Sequence, residues 1–156
     1  IDHPWQKPVE LSEQRATEVF QKLHQGVYRS LDFGSEDRVY DVLATSVDGD
    51  LLEKLYLQLH QSLEMKEQSG AIARIQSIQY DVGKESPRAA TIIPWPGFEY
   101  HSTWMVAGTV EHWGHIHERQ NRFDAVFTIE PRDGNWKITR MDIADQKQVA
   151  AKTRLR

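Results

Sequence analysis

The chain has 156 residues, a formal net charge of −4, no cysteine, and 39% hydrophobic and 27% charged residues. This size and balance are typical of one globular domain. The absence of cysteine excludes disulfides, a thiolate metal site and a thiol nucleophile. The acidic net charge argues against a nucleic-acid partner, and the chain has no apolar run of the roughly 20 residues that a membrane-inserted helix needs.

An extended arm and an amphipathic helix are predicted at the start of the chain. Pro4 and Pro8 favour an extended conformation for residues 1–11, and Ser12 is the expected N-cap of the helix. Apolar residues then recur every three or four positions, which predicts one buried stripe. They are Ala16, Val19, Phe20, Leu23 and Val27.

Two more helices are predicted before any strand. Ser35 is the expected cap of a short helix that ends before Asp48-Gly49. Asp50 and Glu53 have the spacing of a capping box, and the apolar stripe that follows them predicts a third helix as far as Gly70.

An antiparallel sheet is predicted in the second half, because the apolar period changes from about 3.6 to 2 at Ile72. A first strand begins there, and Gly108 is expected to mark a bend or bulge in the next one. The three long strands are expected over residues 98–113, 115–130 and 136–143.

Two segments are predicted to lie outside the regular sheet. Residues 83–97 contain three prolines and are interpreted as a turn-rich excursion, with Trp95 as the lid of a pocket or a partner contact. Residues 146–156 are basic and are interpreted as a solvated terminal helix or a frayed end. Residues 12–145 are therefore expected to form the domain itself.

Helices first and an antiparallel meander afterwards indicate an α+β fold, with three helices packed on a strongly bent sheet of about four strands. This order of elements and the closing strand with Trp136-Lys137-Ile138 resemble the NTF2-like, or cystatin-like, cone superfamily. The resemblance implies a pocket between sheet and helices, which holds a small ligand or catalytic residues, and self-association as a homodimer.

A second resemblance concerns the setting of the domain. The runs 27–33, 40–43 and 111–117 are similar to uncharacterised soluble domains of bacterial membrane proteins. This implies an extracytoplasmic domain of a membrane-anchored protein. The chain opens with Ile1 rather than Met, so an upstream tag, signal peptide or anchor is expected.

The pocket is predicted from alternation along the strand after Gly114. His117, Arg119 and Asn121 share one face with Phe123 and Phe127, so the floor of the pocket is expected to be apolar and its rim polar. Trp104, on the preceding strand, is expected on the same side. The predicted ligand-binding residues are therefore the three rim residues together with Trp95 and Trp104.

Three functions remain open for these residues. Binding of a small ligand would use Arg119, whose planar fork suits a carboxylate, although the same side chain could pair with Glu111 or Glu118. Acid–base catalysis, as in an isomerase, dehydratase or hydrolase, would use Tyr80 as donor, Asp142 as base and His117 as proton shuttle.

The third function is metal binding. His112, His115 and His117 offer three imidazoles for zinc or nickel, while ordinary rim histidines are the simpler interpretation. We expect no cofactor, and we predict a ligand-binding, sensing or assembly domain, with a small-molecule enzyme as the alternative.

Overall fold

The structure is a computed structural model that describes residues 12–30, 36–81, 86–92 and 97–155. The helices are α1 (Glu13–Arg29), α2 (Glu36–Ala44) and α3 (Asp50–Ser69). The strands are β1 (Ile72–Tyr80), β2 (Ser86–Ile92), β3 (Phe98–His112), β4 (His115–Arg132) and β5 (Asn135–Leu155). The predicted arm and the predicted cap at Ser35 lie outside the described residues.

The sheet is antiparallel and open, with the order β1-β3-β4-β5, and β2 pairs with β3 beside β1. Three helices followed by this curled sheet confirm the predicted α+β fold and are consistent with an NTF2-like cone. Within the described ranges, every helix is too short or too polar to span a lipid bilayer.

The helix ends test the predicted caps. Ser12 caps α1 as predicted, because its Oγ accepts a hydrogen bond of 3.1 Å from the backbone N–H of Arg15. Gly70 ends α3, as predicted, and the structure places it in the left-handed conformation. The predicted capping box at Asp50 is wrong, since Gly49 is the N-cap and Asp50 is already the first helical residue.

Two-residue turns join the three long strands. Trp113 and Gly114 connect β3 to β4 with φ of 52° and 79°, and Asp133 and Gly134 connect β4 to β5 with φ of 53° and 80°. Positive φ at both positions is the type I′ geometry, whose twist matches that of the flanking strands. These turns fix the register of the meander.

The β3–β4 register is continuous from Phe98 opposite Ile129 to His112 opposite His115, so the predicted alternation is correct. The predicted end of the last strand near Ile143 is wrong. Residues 146–155 pair with β4 as part of β5, where a terminal helix or frayed end was expected. Three register shifts along this pair let the long strand follow the bend of the sheet.

The interpretation of residues 83–97 as an irregular excursion is wrong in part. Ser86–Ile92 form β2, which pairs with the start of β3. Pro87 is accommodated because proline is tolerated in strands at a sheet edge. Trp95 lies outside the described residues, so its predicted role as a lid stays a prediction.

The helices cover only one end of the long hairpin. Phe20 of α1 is fully buried and stacks on Tyr100, with Phe127 beside it, at centroid distances of 4.3 and 4.8 Å. An α-helix of the 17 residues of α1 is about 25 Å long, whereas a strand of the 18 residues of β4 is about 59 Å long. Residues 107–120 therefore extend past the core, and none of them is buried. We call this segment the hairpin overhang.

Candidate functional site

A cavity of about 490 Å³ lies between the helices and the covered end of the sheet. Its walls come from α1, α3 and strands β3 to β5, and the side chains of Tyr28, Trp104, Phe123 and Phe127 line it. Among the described residues that line it, none is Asp, Glu, Lys or Arg. The cavity is thus an apolar chamber that contains a few uncharged polar groups.

His24 is the most buried of those polar groups, with 3% of its surface exposed. Its ring lies between Phe20, at a centroid distance of 5.0 Å, and Trp104, at 4.5 Å. Its Nδ1 lies 2.8 Å from the hydroxyl oxygen of Tyr80. Burial lowers the pKa of His24 from its ordinary value of 6.5 to about 3, because the charged imidazolium would lose its hydration there. His24 is therefore a neutral imidazole at physiological pH.

Tyr28 supplies a hydroxyl group to the same wall. The indole Nε1–H of Trp104 donates a hydrogen bond of 3.0 Å to the Tyr28 oxygen. Burial raises the pKa of Tyr28, and the hydrogen bond from Trp104 opposes this to a smaller extent. The Tyr28 hydroxyl consequently keeps its proton.

The exposed polar residues of the cavity lining come from α3 and β5. Gln58 and Ser62 line the cavity from α3, and Gln146 lines it from β5; all three side chains are exposed. Met141 and Ile143 precede Gln146 on β5 and also line the cavity. A ligand could keep a polar end hydrated here while its apolar part enters the chamber.

The predicted pocket rim is not the rim of this cavity. His117, Arg119 and Asn121 do share a face with Phe123 and Phe127, but none of the three lines the cavity. His117 and Arg119 lie in the hairpin overhang, past the end of the helix layer. The prediction that they line the pocket between sheet and helices is therefore wrong; whether they bind a ligand stays a prediction.

Arg119 lines a separate depression of about 320 Å³ on the sheet and not the cavity between the sheet and the helices. It is exposed and lies between Gly108 on β3 and Ala151 on β5. The carboxylate of Glu118, one of its expected partners, lies 3.4 Å from Nε of Arg154 instead. Trp104, by contrast, lines the cavity as predicted.

The three acid–base candidates are not brought together. Tyr80 contacts His24 beside the cavity. Asp142 is exposed, lies 3.0 Å from Nε of Arg140, and pairs in register with Val126, which lies on the face opposite Phe127. Tyr80 pairs with Trp104 on β3, and His117 pairs with Val110. Val110 is six residues from Trp104 along β3, so Tyr80 and His117 pair with positions about 20 Å apart.

The three candidate metal ligands have separate contacts. The described residues contain no group of three or more His, Cys, Asp or Glu side chains that could hold a metal ion. His112 stacks on Trp113 at 4.1 Å, and Nδ1 of His117 lies 3.0 Å from the Thr153 hydroxyl. The rings of His115 and His117 are 6.4 Å apart.

Sequence reasoning missed His24, although the sequence contains its signal. His24 follows Phe20 by four positions and precedes Tyr28 by four, so it lies on the apolar stripe of the first helix. A histidine on such a stripe is a buried imidazole, and burial is what sets its protonation state.

Comparison with models of known protein families finds no match. Comparison with curated proteins likewise finds none. The geometry of the cavity is therefore the basis for a functional proposal.

Proposed function

We propose that the protein is a small-molecule-binding domain whose ligand occupies the cavity between the helices and the sheet. The observation that carries the proposal is the cavity itself. Its volume of about 490 Å³ lies in the range of about 300–1,000 Å³ that is usual for ligand sites. Aromatic and aliphatic walls with a few convergent polar groups are also the usual composition of such sites.

The lining favours an uncharged and largely apolar ligand. Transfer of a charged group into an apolar chamber costs several kcal/mol unless an opposite charge compensates it. The described lining offers no such charge, and His24 is neutral at physiological pH. The expected ligand is a ring system or branched chain that packs against Phe123, Phe127 and Trp104.

The proposal is tested with the uncharged fluorescent probe N-phenyl-1-naphthylamine, whose emission increases in apolar surroundings. Leu59→Trp adds an indole ring on α3 where Leu59 lines the cavity. Leu57→Trp is the matched control, since Leu57 is on the same helix, is 57% exposed and does not line the cavity. We expect Leu59→Trp to weaken probe binding at least roughly tenfold and Leu57→Trp to leave it unchanged.

Two results would contradict the proposal. One is wild-type protein that gives no increase in probe emission. The other is equal probe affinity in Leu59→Trp and wild type, provided that urea unfolding shows both proteins to be folded.

An acid–base enzyme is the second candidate, and the observation in its favour is the contact between His24 and Tyr80 beside the cavity. An imidazole with a pKa of about 3 is a poor general base at neutral pH, which is why we place binding first. Deuterium exchange into the methyl group of 2-acetylnaphthalene tests the alternative. Catalysis requires exchange that wild type accelerates and His24→Phe does not.

We also propose that the protein self-associates along the outer edge of β5. The outer edge of β5 is bridged to Val47 at Ile138, and beyond that point β5 has a neighbour only on its β4 side among the described strands. Residues 142–145 of β5 carry Asp142 and Asp145 and no basic residue, and residues 147–154 carry Lys147, Lys152 and Arg154 and no acidic residue. An antiparallel pair of two β5 strands would place the acidic part of each against the basic part of the other, which stabilises cross-strand pairs.

Sedimentation velocity tests this pairing with two charge-reversed chains. One carries Asp142→Lys with Asp145→Lys, and the other carries Lys147→Asp with Lys152→Asp. We expect wild type to dimerise, each reversed chain alone to be a monomer, and their mixture to form a dimer. A monomeric wild type, or dimers of both reversed chains, would contradict the edge pairing.

A further inference from the structure

Tyr28 lines the cavity, and its hydroxyl proton has no acceptor among the described residues. An indole N–H can only donate, so the Tyr28 oxygen must be the acceptor in its contact with Trp104. The proton of the Tyr28 hydroxyl is therefore directed away from Trp104. In the part of the chain that the structure describes, the contact with Trp104 is the hydrogen bond that Tyr28 makes.

The neighbours of Tyr28 limit where that proton can be accepted. The closest imidazole, His24, meets Tyr28 with its edge at a centroid distance of 5.1 Å, and its Nδ1 already contacts Tyr80. Tyr28 also borders a second, more open depression of about 430 Å³ beside β1. Trp104, the partner that fixes the Tyr28 oxygen, lines the first cavity and not the second.

We propose that the Tyr28 hydroxyl donates a hydrogen bond to the ligand, and that the ligand is an uncharged compound with a carbonyl or ether oxygen beside its apolar body. This inference rests on the proposed function and specifies the ligand class for the same cavity. The apolar body packs against the rings of Phe123 and Phe127, while the oxygen lies next to Tyr28.

The energetics favour this class over the two obvious alternatives. A carboxylate would lose its hydration in a chamber whose described lining contains no cation. A pure hydrocarbon would leave the Tyr28 donor without a partner, and sites built around a polar group discriminate against analogues that cannot pair with it. A carbonyl or ether oxygen satisfies the donor without introducing a charge.

A pair of ligands that differ in one group tests the proposal. In 2-acetylnaphthalene a carbonyl replaces one methylene group of 2-ethylnaphthalene, and the two have almost the same shape. The affinity of each is measured by displacement of N-phenyl-1-naphthylamine from wild type, Tyr28→Phe and Tyr56→Phe. Tyr56 is a matched control because it lies on α3, packs against Tyr40 and does not line the cavity.

The readout is the ratio of the two affinities within each protein, which cancels general changes in the cavity. Loss of one neutral hydrogen bond corresponds to a factor of about five, so we expect the preference for the ketone to fall about fivefold in Tyr28→Phe. The ratio in Tyr56→Phe should equal that of wild type.

The outcomes separate this inference from the proposed function. Displacement by both ligands with the same ratio in wild type and Tyr28→Phe overturns the role of Tyr28 and leaves the cavity as a binding site. Absence of probe binding overturns the proposed function itself, and bound probe that neither ligand displaces overturns the inferred ligand class. If Tyr28→Phe does not fold, the infrared carbonyl stretch of 2-acetylnaphthalene bound to wild type decides. A hydrogen-bonded frequency supports the inference, and the frequency of the ketone in a hydrocarbon solvent overturns it.

Discussion

Replacement of His24 by phenylalanine should make the protein less sensitive to acid. His24 is buried among Phe20, Trp104 and Phe127, so a phenyl ring can occupy its place with similar shape. At pH 7 the replacement loses the contact with Tyr80 and gains an apolar ring in an apolar site. We expect these two effects together to change the free energy of unfolding at pH 7 by no more than about 1.5 kcal/mol.

The pH dependence follows from the pKa of His24 in the two states. In the unfolded chain the pKa is that of an ordinary histidine, 6.5, whereas burial lowers it to about 3 in the folded protein. Below about pH 6.5 the unfolded chain therefore binds a proton that the folded protein does not, and stability falls as the pH falls from 6.5 towards 3. At about 1.4 kcal/mol per pH unit, the loss from this one group between pH 7 and pH 5 is about 2 kcal/mol.

Urea unfolding at pH 7 and pH 5 measures this difference. Other titratable groups contribute to both proteins and cancel in the comparison. Wild type should lose about 2 kcal/mol more than His24→Phe between the two pH values. His115→Phe, which replaces an exposed histidine in the hairpin overhang, should behave as wild type. Equal losses of unfolding free energy in wild type and His24→Phe would refute the reasoning, because they would mean that His24 has the same pKa in the folded and unfolded states.

Three further substitutions test the fold. Gly108→Val should lower the free energy of unfolding by roughly 1–3 kcal/mol, since even a Cβ at Gly108 would lie 2.7 Å from the carbonyl oxygen of Arg74; unchanged urea midpoints would contradict this close approach. Lys137→Met should cost about 1 kcal/mol in the same assay, because the Lys137 ammonium donates to the carbonyl of Ala44 at the end of α2. Trp113→Asn should raise the melting temperature and the free energy of unfolding, the latter by roughly 0.5–1 kcal/mol, because asparagine tolerates the positive φ of the turn better than this exposed tryptophan. A lower melting temperature would show that the contact between Trp113 and His112 outweighs the backbone preference.

The sequence predicts the faces of the hairpin correctly but not how far the helices cover it. Alternation assigns His117, Arg119 and Phe127 to one face, and the register confirms this. Periodicity contains no information about where a helix lies across a sheet. A helix rises about 1.5 Å per residue and a strand about 3.3 Å, so helices and strands of similar residue number differ about twofold in length. The polar part of the face consequently extends past the helix layer, and the cavity forms farther along the strands.

The length of β5 could not be predicted from local preference. Residues 144–152 are rich in alanine, lysine and glutamine, which favour a helix, and they lack the alternation of a half-buried strand. They form a strand because β4 offers a long row of hydrogen-bonding groups beside them. All side chains from Asp142 to Leu155 are exposed, so burial imposes no pattern on the sequence.

The two-residue turns have a consequence for the order of folding. Each turn brings its flanking strands together by closing a very short loop, so pairing of β3, β4 and β5 can zip outwards from Gly114 and Gly134 with little entropic cost. Contacts of α1 with the sheet require much longer loops, since Thr17 meets Tyr100 across 83 positions and His24 meets Tyr80 across 56. Topology of this kind favours early formation of the meander and late docking of α1. The chamber would then be among the last parts of the molecule to take shape.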